Sequence, residues 1–339
     1  MNTHATHNIQ IMFLKRIEDL LDTSTSLVHE LSDLLQISTD SAYRRIRGET
    51  VLSLEEIIIL CKHYNISFDA FSRAETGLVT FAYKTIENQP TYLLDYLNDV
   101  YADLQKISTI PNSHIIYACQ DIPVFYHYKH PKIAEFKFFY WMRSIMNVQD
   151  LEMQKYNPAL ILPEIFDVAK KIYALYAHVK STEIWTDTTI SSTVKQIGFY
   201  WESGVFNAKE EALDVCNALK AEIQEIQKQA EITQKIVDGS DISDEKQGNY
   251  SLYFSDIEIT NNCVLIKLGN ARAVYLSHFS FYTMKTTNDI YCAKTDEWLI
   301  QLIKKTTLIS GVAEKTRYQF FNRALKTVDE LINNIASEK

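Results

Sequence analysis

The sequence predicts a mainly α protein in two domains, a small N-terminal one of five helices and a larger helical one with a small antiparallel β meander. Three observations predict it. Only 8 glycines and 6 prolines interrupt 339 residues, which leaves long stretches of the kind helices favour. Between Ala208 and Val237 the residues Ala212, Cys216, Leu219, Ile223, Ile226, Ala230, Thr233 and Val237 recur at alternating spacings of 4 and 3, a heptad seam. From Tyr250 to His278 the period changes, with Asn261-Asn262 and Gly269-Asn270 separating three strand-like runs, and this reads as the meander. Length allows two or three domains, because single cores stop growing near about 250 residues, and the change of pattern after residue 72 divides the chain in two.

Taken in order, residues 1–72 divide into helices at about Ile9 to Leu21, Leu27 to Leu35, Thr39 to Arg47 and Leu54 to Tyr64, with a last turn from Phe68. Ser26 is placed to cap the second helix, Ser38 or Thr39 the third, and Ser53 with Glu56 forms a capping box; Gly48 and Asn65 are stop signals. Residues 73–90 read as linker or strand, since Gly77 to Ile86 alternates and Asn88-Gln89-Pro90 punctuates the chain. Residues 91–339 then carry helices at about Thr91 to Ile107, Pro131 to Met146, Pro163 to Val179, Asp187 to Ser203 and Ala208 to Val237, with a short strand at His114 to Cys119. After the meander at 250–278 come helices at Asp289 to Thr306 and Val312 to Ala336. The last repeats Tyr318, Phe321, Leu325, Val328, Ile332 and Ile335 at spacings of 3 and 4, a second seam.

Composition excludes several classes. The five cysteines are scattered and never form C-x-x-C, so neither a zinc ribbon nor a disulfide framework is expected, and a reducing cytoplasm fits. No window of eighteen apolar residues suggests a membrane span. No Walker loop, G-x-S-x-G or G-x-G-x-x-G is present, so no catalytic set and no cofactor is expected. The net charge of −9 makes any basic surface local. Residues 1–72 carry six Lys or Arg against ten Asp or Glu, and the basic cluster is Arg44, Arg45 and Arg47.

The informative stretch runs from Ser26 to Phe71. Leu31, Leu34, Leu35, Ile37, Ala42 and Ile46 let two short helices cross, with Ser32 and Ala42 small enough for close approach. With the turn Gln36-Ile37-Ser38, the Arg-Gly-Glu after the second helix, the Leu-Ser-Leu-Glu-Glu opening and the closing Asn-Ile-Ser-Phe-Asp, it resembles the lambda-repressor-like helix-turn-helix of the Cro type (XRE family). It departs from that pattern in placing Gln36 where glycine is usual and Ser32 where alanine is usual. The resemblance covers about a fifth of the chain and implies that Thr39 to Arg47 enters the major groove of double-stranded DNA. It makes Thr39, Asp40, Ser41 and Tyr43 or Arg44 readers of base edges, and Arg45 and Arg47 phosphate contacts. The whole chain also resembles long bacterial regulators that carry such a domain before a large helical region.

The resulting expectation is a homodimeric, sequence-specific transcription regulator that is not an enzyme, in which residues 91–339 serve dimerisation and the sensing of an unknown small-molecule or protein effector, with one of the two seams as dimer interface or both packed together within one chain. The competing expectation is an adaptor whose N-terminal fold docks on protein. Other features are weaker. His29-Glu30 begins a zinc-protease pattern that Asp33 breaks; His127 and His130 lack a nearby acid or cysteine in the sequence and read as core or surface residues; Phe136, Phe138, Phe139, Tyr140 and Trp141 read as core.

Overall fold

The structure is a computed structural model that describes residues 3–18, 21, 25–64, 66, 68, 78–85, 87–237 and 248–338. The chain divides into two compact units, Met1–Phe81 and Ala82–Lys339, and the division falls within the stretch 73–90.

In the first unit four helices are described, α1 (Thr3–Glu18), α2 (Leu27–Leu35), α3 (Thr39–Ile46) and α4 (Leu54–Tyr64). The fifth helix expected from Phe68 lies mostly outside the described residues, as does the stop at Asn65; Phe68 itself packs edge-on against Phe13 at 5.3 Å. Phe13, Leu14, Ile17, Leu27, Val28, Leu31, Ala42, Leu52 and Leu60 form the core. Ser38 caps α3 by accepting from the Ser41 amide at 3.2 Å, and Ser53 and Glu56 exchange the two bonds of a capping box at 2.9 and 3.2 Å. Ser26 precedes α2 in extended conformation without a side-chain cap bond.

The second unit is an α/β fold, which overturns the mainly α expectation. Seven strands form one mixed sheet in the order β6-β5-β4-β1-β2-β3-β7, with β1 (His114–Cys119), β2 (Lys180–Trp185), β3 (Tyr250–Phe254), β4 (Cys263–Leu268), β5 (Ala271–His278), β6 (Tyr282–Thr286) and β7 (Thr307–Leu308). β1, β2 and β3 run parallel. The expected three-stranded meander is therefore corrected: β3 and β4 follow each other in sequence yet stand apart, with β2 and β1 between them. The true antiparallel meander is β4-β5-β6, with Gly269 at φ 59° in its first turn. A parallel pair needs a long crossover, and the segments between β1, β2 and β3 supply it as α6 (Val124–His127), α7 (Pro131–Tyr140), α8 (Pro163–His178), α9 (Ser191–Glu202) and α10 (Lys209–Ile232).

Sheet alternation sorts the two faces. Ile115, Tyr117, Cys119, Trp185, Tyr250 and Leu252 face the main core beneath α5 (Pro90–Thr109), α7, α8, α9, α10 and α12 (Glu314–Ser337). Ile116, Ala118, Ile184 and Leu265 face a smaller core closed by α11 (Asp289–Ile303). Phe136, Phe138 and Phe139 of α7 are fully buried; a helix covered all round shows no apolar stripe. No described helix is long and apolar enough to cross a membrane.

Both heptad seams lie inside this unit. Ala212, Cys216, Leu219, Ile223, Ile226 and Ala230 of α10 share the core with Phe321, Val328 and Ile335 of α12, so of the two expectations for the seams it is the packing within one chain that the structure has, and not a seam facing a second copy. The α10 seam also stops short of Val237, because Thr233 turns left-handed at φ 56° and ends the helix. Gly311 closes against this end: its amide donates to the Ala230 carbonyl at 2.8 Å, and a Cβ there would meet Thr233 at 2.8 Å. Tyr318 of the second seam is exposed.

Candidate functional site

α3 begins where α2 ends in a left-handed residue, Gln36 at φ 54°. Glycine adopts this backbone conformation most readily, and here glutamine holds it. The chain leaves α2 through the Ile37 amide, which donates to the Ser32 carbonyl at 3.1 Å, and enters α3 at the Ser38 cap. Ala42 is wholly buried against α2 and fixes which side of α3 faces solvent. On a 100° per residue wheel, positions 39, 40, 43, 44 and 47 fall within about 140° of one another, and Thr39, Asp40, Tyr43, Arg44 and Arg47 are all exposed. Ser41 is half-buried at the edge of this face.

Arg45 lies on the opposite side. Its guanidinium forms a bidentate pair with Glu56 of α4, Nε to Oε2 at 3.1 Å and Nη2 to Oε1 at 2.7 Å, and Nη1 donates to the Ser41 carbonyl at 3.2 Å. With both side chains only 15 % exposed, Arg45 ties α3 to α4 and is turned away from the exposed face of α3, where its expected role at a phosphate would place it. Arg47 is engaged by Glu49 at 2.6 and 3.0 Å, and Arg44 Nε stands 3.9 Å from the same carboxylate. That hydrogen bond raises the Arg47 guanidinium and lowers the Glu49 carboxyl from their usual ranges, so Glu49 is the carboxylate that both arginines face. Below the loop, Gln10 of α1 donates to the carbonyls of Arg45 and Thr50 at 2.8 Å each and accepts from the Leu52 amide at 2.9 Å. The α3–α4 connection is thus fixed from beneath.

The second unit carries polar groups the sequence did not single out. Glu183, in the middle of β2 and completely buried, accepts from Tyr126 Oη (2.8 Å) and Tyr176 Oη (2.5 Å) at Oε1 and from Trp185 Nε1 (2.9 Å) and Tyr250 Oη (3.2 Å) at Oε2. Burial raises its carboxyl above the usual range, and burial lowers the nearby Lys235 ammonium. Lys235 donates to the Val179 carbonyl and Ser181 Oγ at 2.6 and 2.9 Å and sits 3.9 Å above the Tyr176 ring. All four donors are spent on this one carboxylate, so the cluster is a polar keystone of the sheet.

His127 and His130 meet acids that their own stretch of sequence lacks. α10 brings Glu222, whose oxygens lie 2.9 and 3.0 Å from His127 Nδ1, and Glu225, 3.5 Å from His130 Nε2. Burial lowers the His127 imidazole. Among the described residues no group of His, Cys, Asp and Glu converges as a metal would require. The edge where α/β folds usually bind ligands, beyond the carboxyl ends of β1 and β2, is filled by the chain itself. Asn262 Oδ1 accepts from the Gln120 and Asp121 amides, and Thr189 Oγ1 donates to the Cys119 carbonyl.

Lys137 of α7 gives a pH-dependent test of this interior. It is buried, donates to Thr193 Oγ1 at 2.7 Å and Gln196 Oε1 at 2.8 Å, and burial lowers it to about 8. A lysine in the unfolded chain keeps its proton to roughly pH 10.4. Between these values the unfolded chain binds more protons than the fold, so stability rises with pH through that window. Thermal midpoints of the wild type should climb from pH 8 to 10 relative to those of Lys137→Met. Parallel curves for the two proteins would contradict the assignment.

Comparison with known proteins finds no match: no family model, no curated protein and no solved structure corresponds to the chain.

Proposed function

We propose that the protein is a sequence-specific regulator that binds double-stranded DNA as a homodimer, reading the major groove with α3. The observation that carries this reading is the exposed face of α3, where Thr39, Asp40, Tyr43, Arg44 and Arg47 project together from a helix entered through the left-handed Gln36 turn. Asp40 and Thr39, at the helix start, are nearest base edges in such a docking. Asp40 accepts from cytosine N4, and Arg44 pairs with guanine O6 and N7. Arg47, at the end of the helix, exchanges Glu49 for a phosphate. The buried polar network of the second unit binds no nucleic acid in this reading; it holds the larger unit together.

The three arginines are expected to behave differently when changed to alanine, tested by mobility shift on duplex fragments from upstream of the protein's own gene. Arg44→Ala relaxes specificity at one base pair at a cost of about 1–3 kcal/mol. Arg47→Ala weakens binding to all sequences alike and lowers the salt slope by about one unit. Arg45→Ala instead destabilises the first unit by roughly 1–3 kcal/mol, because Glu56 is left half-buried without its partner. If neither Arg44→Ala nor Arg47→Ala alters retention of any fragment, the groove assignment is wrong.

A further inference from the structure

The outer face of α4 is apolar at its centre and oppositely charged at its two ends. Leu60 is buried in the core of the first unit, and Ile57 and Tyr64 pack against that core, which turns Glu55, Ile58, Ile59 and Lys62 outward. At 100° per residue these four positions fall within about 100° of one another. Ile58 and Ile59 are 44 % and 42 % exposed, and Val51 and Leu54 at the N-terminal end are 71 % and 68 % exposed. That is a contiguous aliphatic surface on a small unit, where isolated exposed aliphatics would be ordinary and a cluster marks an interaction site. Glu55 and Lys62 are both exposed and have no ion-pair partner among the described residues.

The spacing of the charges identifies the occupant. When α4 lies antiparallel to its own copy about a two-fold axis between Ile58 and Ile59, Ile58 meets the copy's Ile59, and Glu55 meets the copy's Lys62. Both charge pairs then form at once, as an isologous contact requires. A surface that is apolar in the middle and matches its own reversed charge order is complementary to itself. We infer that α4 is the contact through which two copies of this chain associate, with Ile58 and Ile59 at the axis and Glu55 paired to the partner's Lys62. This deepens the homodimer part of the reading above and accounts for association without the α10 and α12 seams, which are spent inside the second unit. The contact is independent of the α3 face, whose residues lie on a different helix.

Two helices of 11 residues bury less than the roughly 1,200 Å² of a stable interface. The pair therefore forms at high concentration in solution, or when two copies are held side by side.

The test is sedimentation equilibrium of the full chain without DNA, up to about 300 µM protein, where a small contact with Kd in the tens of micromolar populates dimer. Glu55→Lys and Lys62→Glu should each weaken association at least about tenfold, because each places like charges opposite one another across the axis. The double variant Glu55→Lys/Lys62→Glu restores both opposite pairs and should return to within about threefold of wild type. Helix stability alone predicts the reverse order: an acid in the first turn and a base in the last favour the helix dipole, so the double exchange would be the worst of the three. A monomeric wild type at the highest concentration overturns the proposal. So does a dimer that neither single exchange weakens, or a double variant that fails to recover. Because no DNA is present, these outcomes are separate from those of Arg44→Ala and Arg47→Ala, which judge the groove assignment alone.

Discussion

Glu183→Ala is expected to cost the second unit about 5 kcal/mol, from the orphaning of the four buried donors that converge on its carboxyl group. Tyr126, Tyr176, Tyr250 and Trp185 all direct their polar hydrogens at this carboxylate. Each is buried, so none can turn to water. Lys235 also loses the charge that opposes its neutralisation. For a unit of this size about 1 kcal/mol moves the midpoint by roughly 2–4 °C, so the thermal transition should fall by about 10 °C or more. Glu183→Gln should cost much less. Its amide keeps one oxygen for the Trp185 donor, which can only donate, and its nitrogen can face tyrosine hydroxyls, which also accept. Calorimetry of the three proteins orders them. An alanine variant melting with the wild type would show that the carboxylate is not the keystone of the sheet.

Ile223→Glu is expected to prevent the second unit from folding. Ile223 is completely buried on α10, in the core shared with Phe321 and Val328 of α12. An ionised carboxylate would sit in that apolar core, and its desolvation costs several kcal/mol beyond the roughly 2–5 kcal/mol of lost packing. Together these approach the whole stability of an ordinary domain, about 5–15 kcal/mol. Loss of the far-UV helical signal and rapid proteolysis are the expected readouts. Lys228→Ala, on the exposed side of the same helix, should stay within about 0.5 kcal/mol of wild type. A folded, monomeric Ile223→Glu protein would instead mean that the α10 seam faces a second copy, contrary to the packing described above.

Helix positions were legible wherever a stripe of apolar residues faced one core. α2, α3, α4, α8 and α12 lie within a few residues of the periods that announce them, and the Ser38, Ser53 and Glu56 caps do what their spacing implies. β1 was legible as a short apolar run. β2 was not: residues 180–186 received no assignment between the two helices that flank them, because a strand that buries Ser181 and Glu183 carries the wrong hydrophobic signature. The meander failed for a related reason. Periodicity marks a residue run as a strand but carries no information about its neighbour, and β3 found β2 and β7 instead of β4.

The candidate DNA-reading face divides in the same way. The resemblance implied a groove-facing set of Thr39, Asp40, Ser41, Tyr43, Arg44, Arg45 and Arg47, and all of these but Ser41 and Arg45 are exposed. That Arg45 belongs to Glu56, eleven residues away, was not legible. Likewise the histidine spacing at 127 and 130 was visible, while the acids that meet it stand on α10, some 95 residues on.

By itself, the sequence determined the local features of this protein: where helices start and stop, which side of each is apolar, the Gln36 turn, and the alternation that makes a strand. These depend on backbone sterics, capping and burial preference within a few residues. The tertiary structure alone decided the pairing across long separations: the parallel β1-β2-β3 core, the packing of the α10 and α12 seams on each other, and the meeting of Glu183 with four aromatic donors. A buried polar group is tolerated only when distant partners arrive to satisfy it. Those partners are fixed by the path of the whole chain, which no local window of residues contains.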